Sequence, residues 1–216
     1  MSGFWTRFAR RSIQLGALTL LQNQALPMLE VNALYGDSAL QQPILIRPNY
    51  PETCQLEDCQ LEGYDLAGTL VALEFLPDPP DPRLWVEQVA WTQAPRLAGV
   101  WCDHNNANDW QEFVTRELAR SLESHPDLLA YLAYSGDNAM GMMIVSSDGI
   151  CGLWAGMDDV ALALFARGAS DLGQLEVIVP IERRAAFASS AERERFLVWL
   201  IRHQPSDAQT KPTTNP

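Results

Sequence analysis

The residues whose types and spacing come nearest to chemistry lie at 150–161. There an apolar strand runs into an amphipathic helix through Gly156-Met157-Asp158-Asp159. A strand feeding a helix N-terminus gathers backbone N–H groups at the positive end of the helix dipole, an arrangement suited to holding a phosphate. In this chain two carboxylates stand at that position. They can satisfy the helix N-terminus themselves, and they would repel a multiply charged anion. Elsewhere, Cys102-Asp103-His104 sits in the polar stretch 101–106 beside Trp101, which reads as a helix–helix turn capped by Asp and Asn, with pocket lining as the alternative. Glu176, Asp137 and His104 could each act as a general base, but no spacing singles one out.

Other chemistries find no support. Cys54 and Cys59, together with Cys102 and His104, make a three-Cys-one-His zinc set on paper. Structural zinc usually uses ligand pairs two to four residues apart, so idle or buried thiols are expected and no metal. The only lysine is Lys211, which argues against Schiff-base catalysis in the folded part. The motifs G-x-S-x-G, H-E-x-x-H, the P-loop and G-x-G-x-x-G do not occur. Ser146-Ser147-Asp148-Gly149 reads as a hairpin turn.

Composition narrows the function classes. A net charge of −12 disfavours nucleic-acid binding, which rests on phosphate neutralisation, and suits a basic partner. With 47% hydrophobic residues and seven tryptophans, the 216-residue chain can bury a real core. Four cysteines are too few for a disulfide scaffold at this length. Arg7, Arg10 and Arg11 precede an apolar stretch at 13–21, but Gln14 and Gly16 interrupt it and no run approaches a membrane span. The expected compartment is the cytoplasm.

The elements that must position these residues follow from periodicity. Phe4, Trp5, Phe8, Leu15 and Leu18 suggest an N-terminal helix docked by one apolar face. Strands are expected at 43–47 and 66–75. Four prolines between Pro77 and Pro82 then mark a linker. Beyond it come a strand at 85–92, helices at 95–101 and 109–123 with Asn108 or Asp109 as cap, and a hairpin of 128–135 with 139–146 turning at Gly136-Asp137. A strand at 150–155, a helix at 158–172, a strand at 175–181 and a last helix at 190–202 complete the series. The organisation is thus an N-terminal helix and β extension at 1–75, a linker at 76–84, a main domain at 85–203 and a disordered tail at 204–216. Three five-residue units from Cys54 to Gly68 resemble pentapeptide repeats, but cover less than one coil of that solenoid and read as a turn or short helix leading into the strand at Leu66.

The order strand, two helices, three antiparallel strands, helix, strand, helix resembles the GNAT acetyltransferase superfamily. So do Tyr131-Leu-Ala-Tyr134 before Gly136-Asp137, and Met140-Gly141-Met142-Met143 after it. The resemblance implies an α/β fold: a GNAT-like mixed, mostly antiparallel twisted sheet flanked by helices, with a short N-terminal helix/β extension. It implies that residues 150–155 form the splayed strand whose main chain pairs with the pantetheine arm of acetyl-CoA, with Trp154, Ala155 and Gly156 as cofactor-binding residues. The family's phosphate motif has no counterpart at 154–161. Its tyrosine general acid has none either, since all five tyrosines precede the expected place and Phe187 and Phe196 occupy the region. The expected function is acyl-CoA-dependent N-acyl transfer to a small-molecule amine, in active or degenerate form. The alternative is a non-catalytic module for a protein partner that has lost the cofactor loop. Catalytic residues and oligomeric state are not assigned by the sequence.

Overall fold

The computed structural model describes residues 4–5, 7–8, 11–15, 18–22, 44–50, 64–77, 84–191 and 193–202. For 11–15, 18–22, 44–50, 64–69 and 193–202 it describes the backbone course. The described strands form one ten-stranded sheet in the order β1-β2-β3-β10-β4-β9-β8-β7-β6-β5. Their bounds are β1 Arg11–Leu15, β2 Leu18–Gln22, β3 Ile44–Tyr50, β4 Tyr64–Phe75, β5 Trp85–Val89, β6 Leu128–Ser135, β7 Asn138–Ser146, β8 Ile150–Ala155, β9 Leu175–Pro180 and β10 Arg193–Arg202. Neighbours are antiparallel throughout, except for β8 beside β9. That exception needs a crossover, which helix α3 (Asp158–Leu172) supplies. Helices α1 (Ala94–His104) and α2 (Gln111–Ser124) precede β6, and a short α4 (Arg184–Phe187) follows β9.

From 85 to 180 the elements follow the expected order, although β5 ends at Val89 rather than 92 and α1 runs through 101–104, a stretch that reads as a turn in the sequence. The hairpin pairs Ser135 with Asn138 across Gly136-Asp137. Gly136 takes φ 62, the left-handed conformation such a two-residue loop requires. Leu128–Ser135, Ile150–Ala155 and Asp158–Leu172 have the expected bounds.

Three expectations are corrected. Residues 193–202 form a strand in place of a helix, lying between β3 and β4. The run Phe196-Leu-Val-Trp-Leu-Ile201 is continuously apolar and rich in β-branched and aromatic residues, as suits a strand with neighbours on both sides. The N-terminal helix is a single turn at Phe4–Trp5 followed by a hairpin, in which Leu15 pairs with Leu18. Leu15 and Leu18 belong to paired strands, so no continuous helix can carry Phe4, Trp5, Phe8, Leu15 and Leu18 on one face. Asn108 and Asp109 cap nothing: they open a 3₁₀ turn (Asn108–Trp110) with no side-chain cap bond.

The sheet also settles where the early strands go. β4 pairs with β10 from Tyr64 to Glu74 and with β9 from Leu70 to Phe75, so the segments on both sides of the proline-rich stretch contribute to one sheet. Tyr64-Asp-Leu-Ala-Gly68 lies in β4. The two preceding five-residue units, Cys54, Cys59 and the 204–216 tail lie outside the described residues.

Two cores flank the sheet. On one face α1 and α2 pack with Leu97, Trp101, Val114 and Leu118, and Phe4, Trp5 and Phe8 are buried in the same cluster. Gly152 makes this possible, since a Cβ there would stand 2.5 Å from Phe4 Cδ1 and 2.8 Å from Trp5 Cζ2. Arg7 fixes the segment by pairing with Asp127 at 2.6 Å, which holds the Asp127 carboxyl below the usual carboxylate range. On the other face α3 buries Val160, Leu164, Phe165 and Ala169 against Met143, Trp154, Val177 and Phe187. Across that face Tyr131 Oη donates to Asp171 at 3.1 Å, and Arg167 Nη1 donates to the Val86 carbonyl at 3.0 Å, tying α3 to β5 and β6.

Candidate functional site

The parallel pair β8–β9 is where the sheet offers open backbone. The strands register only at Ile150↔Glu176 and Cys151↔Val177, and then part. Each stays paired on its far side, β8 with β7 as far as Ala155 and β9 with β4 as far as Pro180. The facing edges of residues 152–155 and 178–180 therefore lack ladder partners in each other. Between parallel strands, a gap of this kind is where open α/β sheets place ligands.

The Trp154 side chain crosses the gap. Trp154 Nε1 donates to the Ile178 carbonyl at 2.9 Å, and the indole is only 8% exposed. Its ring meets Phe165 and Phe187 edge-on, at centroid distances of 5.2 and 5.5 Å. Past Trp154 the chain turns at Gly156, where φ is 151, into α3. A Cβ at Gly141 would lie 2.5 Å from Val160 Cγ1 and 3.0 Å from the Ala155 carbonyl. Glycine at 141 thus lets the first turn of α3 close on β7 and β8.

The α3 N-terminus is occupied from within. Met157 stands at the cap position without a side-chain bond, and Asp159 Oδ1 accepts the Val160 N–H at 2.9 Å. Asp158 faces Arg183, from the turn after β9: Nη2 donates to Asp158 Oδ1 at 2.5 Å and to the Gly156 carbonyl at 3.2 Å. The guanidinium lies over Trp154, 4.4 Å from the ring centroid, and 5.4 Å from that of Phe187. Nη1 reaches His104 Nε2 at 3.3 Å from the end of α1. Burial first and the Arg183 charge second push His104 below the ordinary histidine range, with Asp158 opposing them. Four separate segments thus converge at the end of β8.

The sequence candidates fall out as follows. Trp154, Ala155 and Gly156 line the parting of the strands, Ala155 fully buried and in register with Met142. Of the three candidate bases the structure brings His104 to this place. Glu176 lies at the paired end of the gap, and Asp137 at the tip of the β6–β7 loop. Cys102 is buried, its thiol pushed up to about 11, while no group of three or more potential metal ligands occurs among the described residues. Arg183 was not singled out by the sequence: it stands 25 residues from Asp158, and no local spacing couples them. Phe187, fully buried against Trp154, occupies the region where a tyrosine would be expected. Tyr131 is committed to Asp171, and burial first and the Asp171 carboxylate second push its hydroxyl up to about 12.

A mixed, mostly antiparallel sheet whose one parallel pair parts ahead of a helix is the fold of the GCN5-related N-acetyltransferases, and this chain has that GNAT-like fold. Among solved structures, a GCN5-related N-acetyltransferase from Kribbella flavida aligns over 94% of this chain and 93% of its own, with a TM-score of 0.55 and 12% identity. A conserved protein of unknown function from Staphylococcus epidermidis aligns over 83% of this chain and 80% of its own (TM-score 0.52, 12% identity). A probable N-acyltransferase from Enterococcus faecalis aligns over 74% of this chain (TM-score 0.51, 14% identity). This chain spans 58% of the Enterococcus protein and 42% of another, longer Kribbella flavida acetyltransferase. No protein-family model and no curated protein matches the sequence. No helix among the described residues is long and apolar enough to cross a membrane.

Proposed function

We propose that the chain is an acyl-CoA-dependent N-acyltransferase acting in the cytoplasm on a small-molecule amine, with its site at the parting of β8 and β9. The observation that carries this reading is the convergence of Trp154, Gly156, Asp158, Arg183 and His104 at that place. Titratable and cationic groups gathered where a sheet opens are a physical marker of ligand chemistry. The residues present fit an acyl-CoA. The unpaired edge of β8 at 152–155 can pair with an extended amide-bearing arm, and Arg183 can take a phosphate once the Asp158 side chain, 56% exposed, turns away. A bound acyl-CoA supplies an activated thioester carbonyl.

The chain's own groups then have definable roles. His104, held below the ordinary histidine range and so neutral near pH 7, can take the proton of an attacking ammonium on Nε2 once a bound phosphate draws Arg183 off that nitrogen. The acidic protein draws a cationic amine toward the site. Trp154 and Phe187 keep water from the gap. The test is thiol release from acetyl-CoA over a panel of primary amines. His104→Gln should lower kcat by about 100-fold, on the scale of general-base catalysis, and leave acetyl-CoA binding within a few-fold. Equal turnover in His104→Gln and wild type would remove His104 from the chemistry.

A second reading has its own support. Phe187 in place of a proton donor, and an indole bridging the gap, suit a non-catalytic GNAT-like module for a protein partner. Trp85 and Trp91, 69% and 47% exposed, would then be contact residues.

A further inference from the structure

The Arg183 guanidinium can only donate hydrogen bonds, so its contact with His104 fixes the state of that ring. For Nε2 to accept from Nη1 at 3.3 Å, the imidazole must be neutral with its proton on Nδ1. His104 is thus one of three acceptors around a single cation, the others being the Gly156 carbonyl and Asp158 Oδ1. Trp154 and Phe187 hold the guanidinium from behind. We propose that, in the ligand-free chain, Arg183, Asp158 and His104 form a charge-operated latch over the end of β8, closed while His104 is neutral and opened when His104 takes a proton. Protonation removes the acceptor and sets two cations against each other. It also makes His104 a rival partner for Asp158, whose charge already acts on the ring.

Among the described residues, the charged groups around the ring come from α1, α3 and the turn after β9. Arg183 faces it from the turn after β9, with Glu182 and Arg184 on either side in sequence, and Asp158 faces it from α3. Asp103 precedes it on α1, and Asp159 is engaged with the Val160 N–H. In the closed state Asp158 fills the place that an anion would take on Arg183. Opening it frees Arg183 and adds a second cation beside it. The latch itself stands on these contacts alone; that the entering anion is the phosphate part of an acyl-CoA rests on the function proposed above.

The direction in pH follows. His104 is held below 6.5 in the folded chain, so the latch is closed at neutral pH and opens in acid. The unfolded chain binds the histidine proton first as pH falls. Stability is therefore lost from about 6.5 downward and levels off below the folded value. His104→Gln removes that component.

The test is ring ¹⁵N NMR of the full chain across pH 5–8, with His104→Gln identifying the His104 signals and the Trp154 indole N–H followed alongside. The latch requires an Nδ1-protonated ring at neutral pH and a depressed midpoint shared by the Trp154 signal. Arg183→Gln should raise that midpoint, and Asp158→Asn should lower it further. An Nε2-protonated ring, or a midpoint unmoved by Arg183→Gln, would overturn it. Inorganic sulfate, whose charge is constant over this range, probes the opened cation. Its affinity should rise at least fivefold on acidification in wild type and be flat in His104→Gln; a flat wild-type profile overturns the latch. Acid-enhanced sulfate binding without acetyl-CoA binding at any pH would support the latch and sink the acyltransferase reading separately.

Discussion

Trp154→Ala should lose about 3–5 kcal/mol of stability, the range for truncating a buried large aromatic. The side chain is 8% exposed, packs on Phe165 and Phe187, carries the Arg183 guanidinium and supplies the bond across the gap to Ile178. Trp154→Phe separates these contributions. It keeps an aromatic ring among Phe165 and Phe187 and removes the Nε1 donor, leaving the Ile178 carbonyl short of a partner, at about 1–3 kcal/mol. Urea denaturation of both variants measures the difference. A loss below about 1 kcal/mol in Trp154→Ala would mean that the indole does not hold the parted strands in place.

Arg183→Glu should weaken acetyl-CoA binding at least about a hundredfold. A charge-assisted hydrogen bond contributes about 1.5–3 kcal/mol, and reversal adds repulsion from a carboxylate standing beside Asp158 and Asp159. Asp158→Asn should act the other way and tighten binding, because it removes the internal occupant of Arg183. Titration calorimetry of the two variants checks the pair. Unchanged affinity in Arg183→Glu would place any acyl-CoA elsewhere on the molecule. Opposite signs at two residues in contact are hard to obtain from a general loss of folding.

The fold was legible where local signals agree. Residues 128–172 carry a glycine turn, alternating or continuous apolar strands and an amphipathic helix, and the structure repeats those bounds almost residue for residue. The two ends misled for a physical reason. Phe196 to Ile201 is apolar on every position, so its period distinguishes a buried strand from a buried helix poorly. What decides it is the pairing with β4 between Asp65 and Val71 and with β3 between Ile44 and Tyr50, which are distant in sequence. Phe4, Trp5 and Phe8 were correctly read as apolar anchors, but the turn that buries them depends on the bare backbone of Gly152, also far away.

The candidate site was legible in part. Trp154, Ala155 and Gly156, singled out through the family resemblance, lie where β8 runs into α3, and the pairing of the Asp159 carboxylate with the α3 N-terminus follows from its type and place. Asp158 was expected to do the same, but answers to Arg183 instead. That partnership, like the approach of His104, depends on how β9 and α1 end in space, and one-dimensional spacing carries no trace of it.

The measurement that tests the acyl-CoA reading most directly is calorimetric titration of the full chain with acetyl-CoA, with free CoA as control. Micromolar binding that weakens in Trp154→Ala, checked to be folded, and collapses in Arg183→Glu is the result expected of a site at the parting of β8 and β9. No heat at millimolar ligand, in the wild type and in Asp158→Asn alike, would contradict it and leave the exposed Trp85 and Trp91 as the place to look for a protein partner.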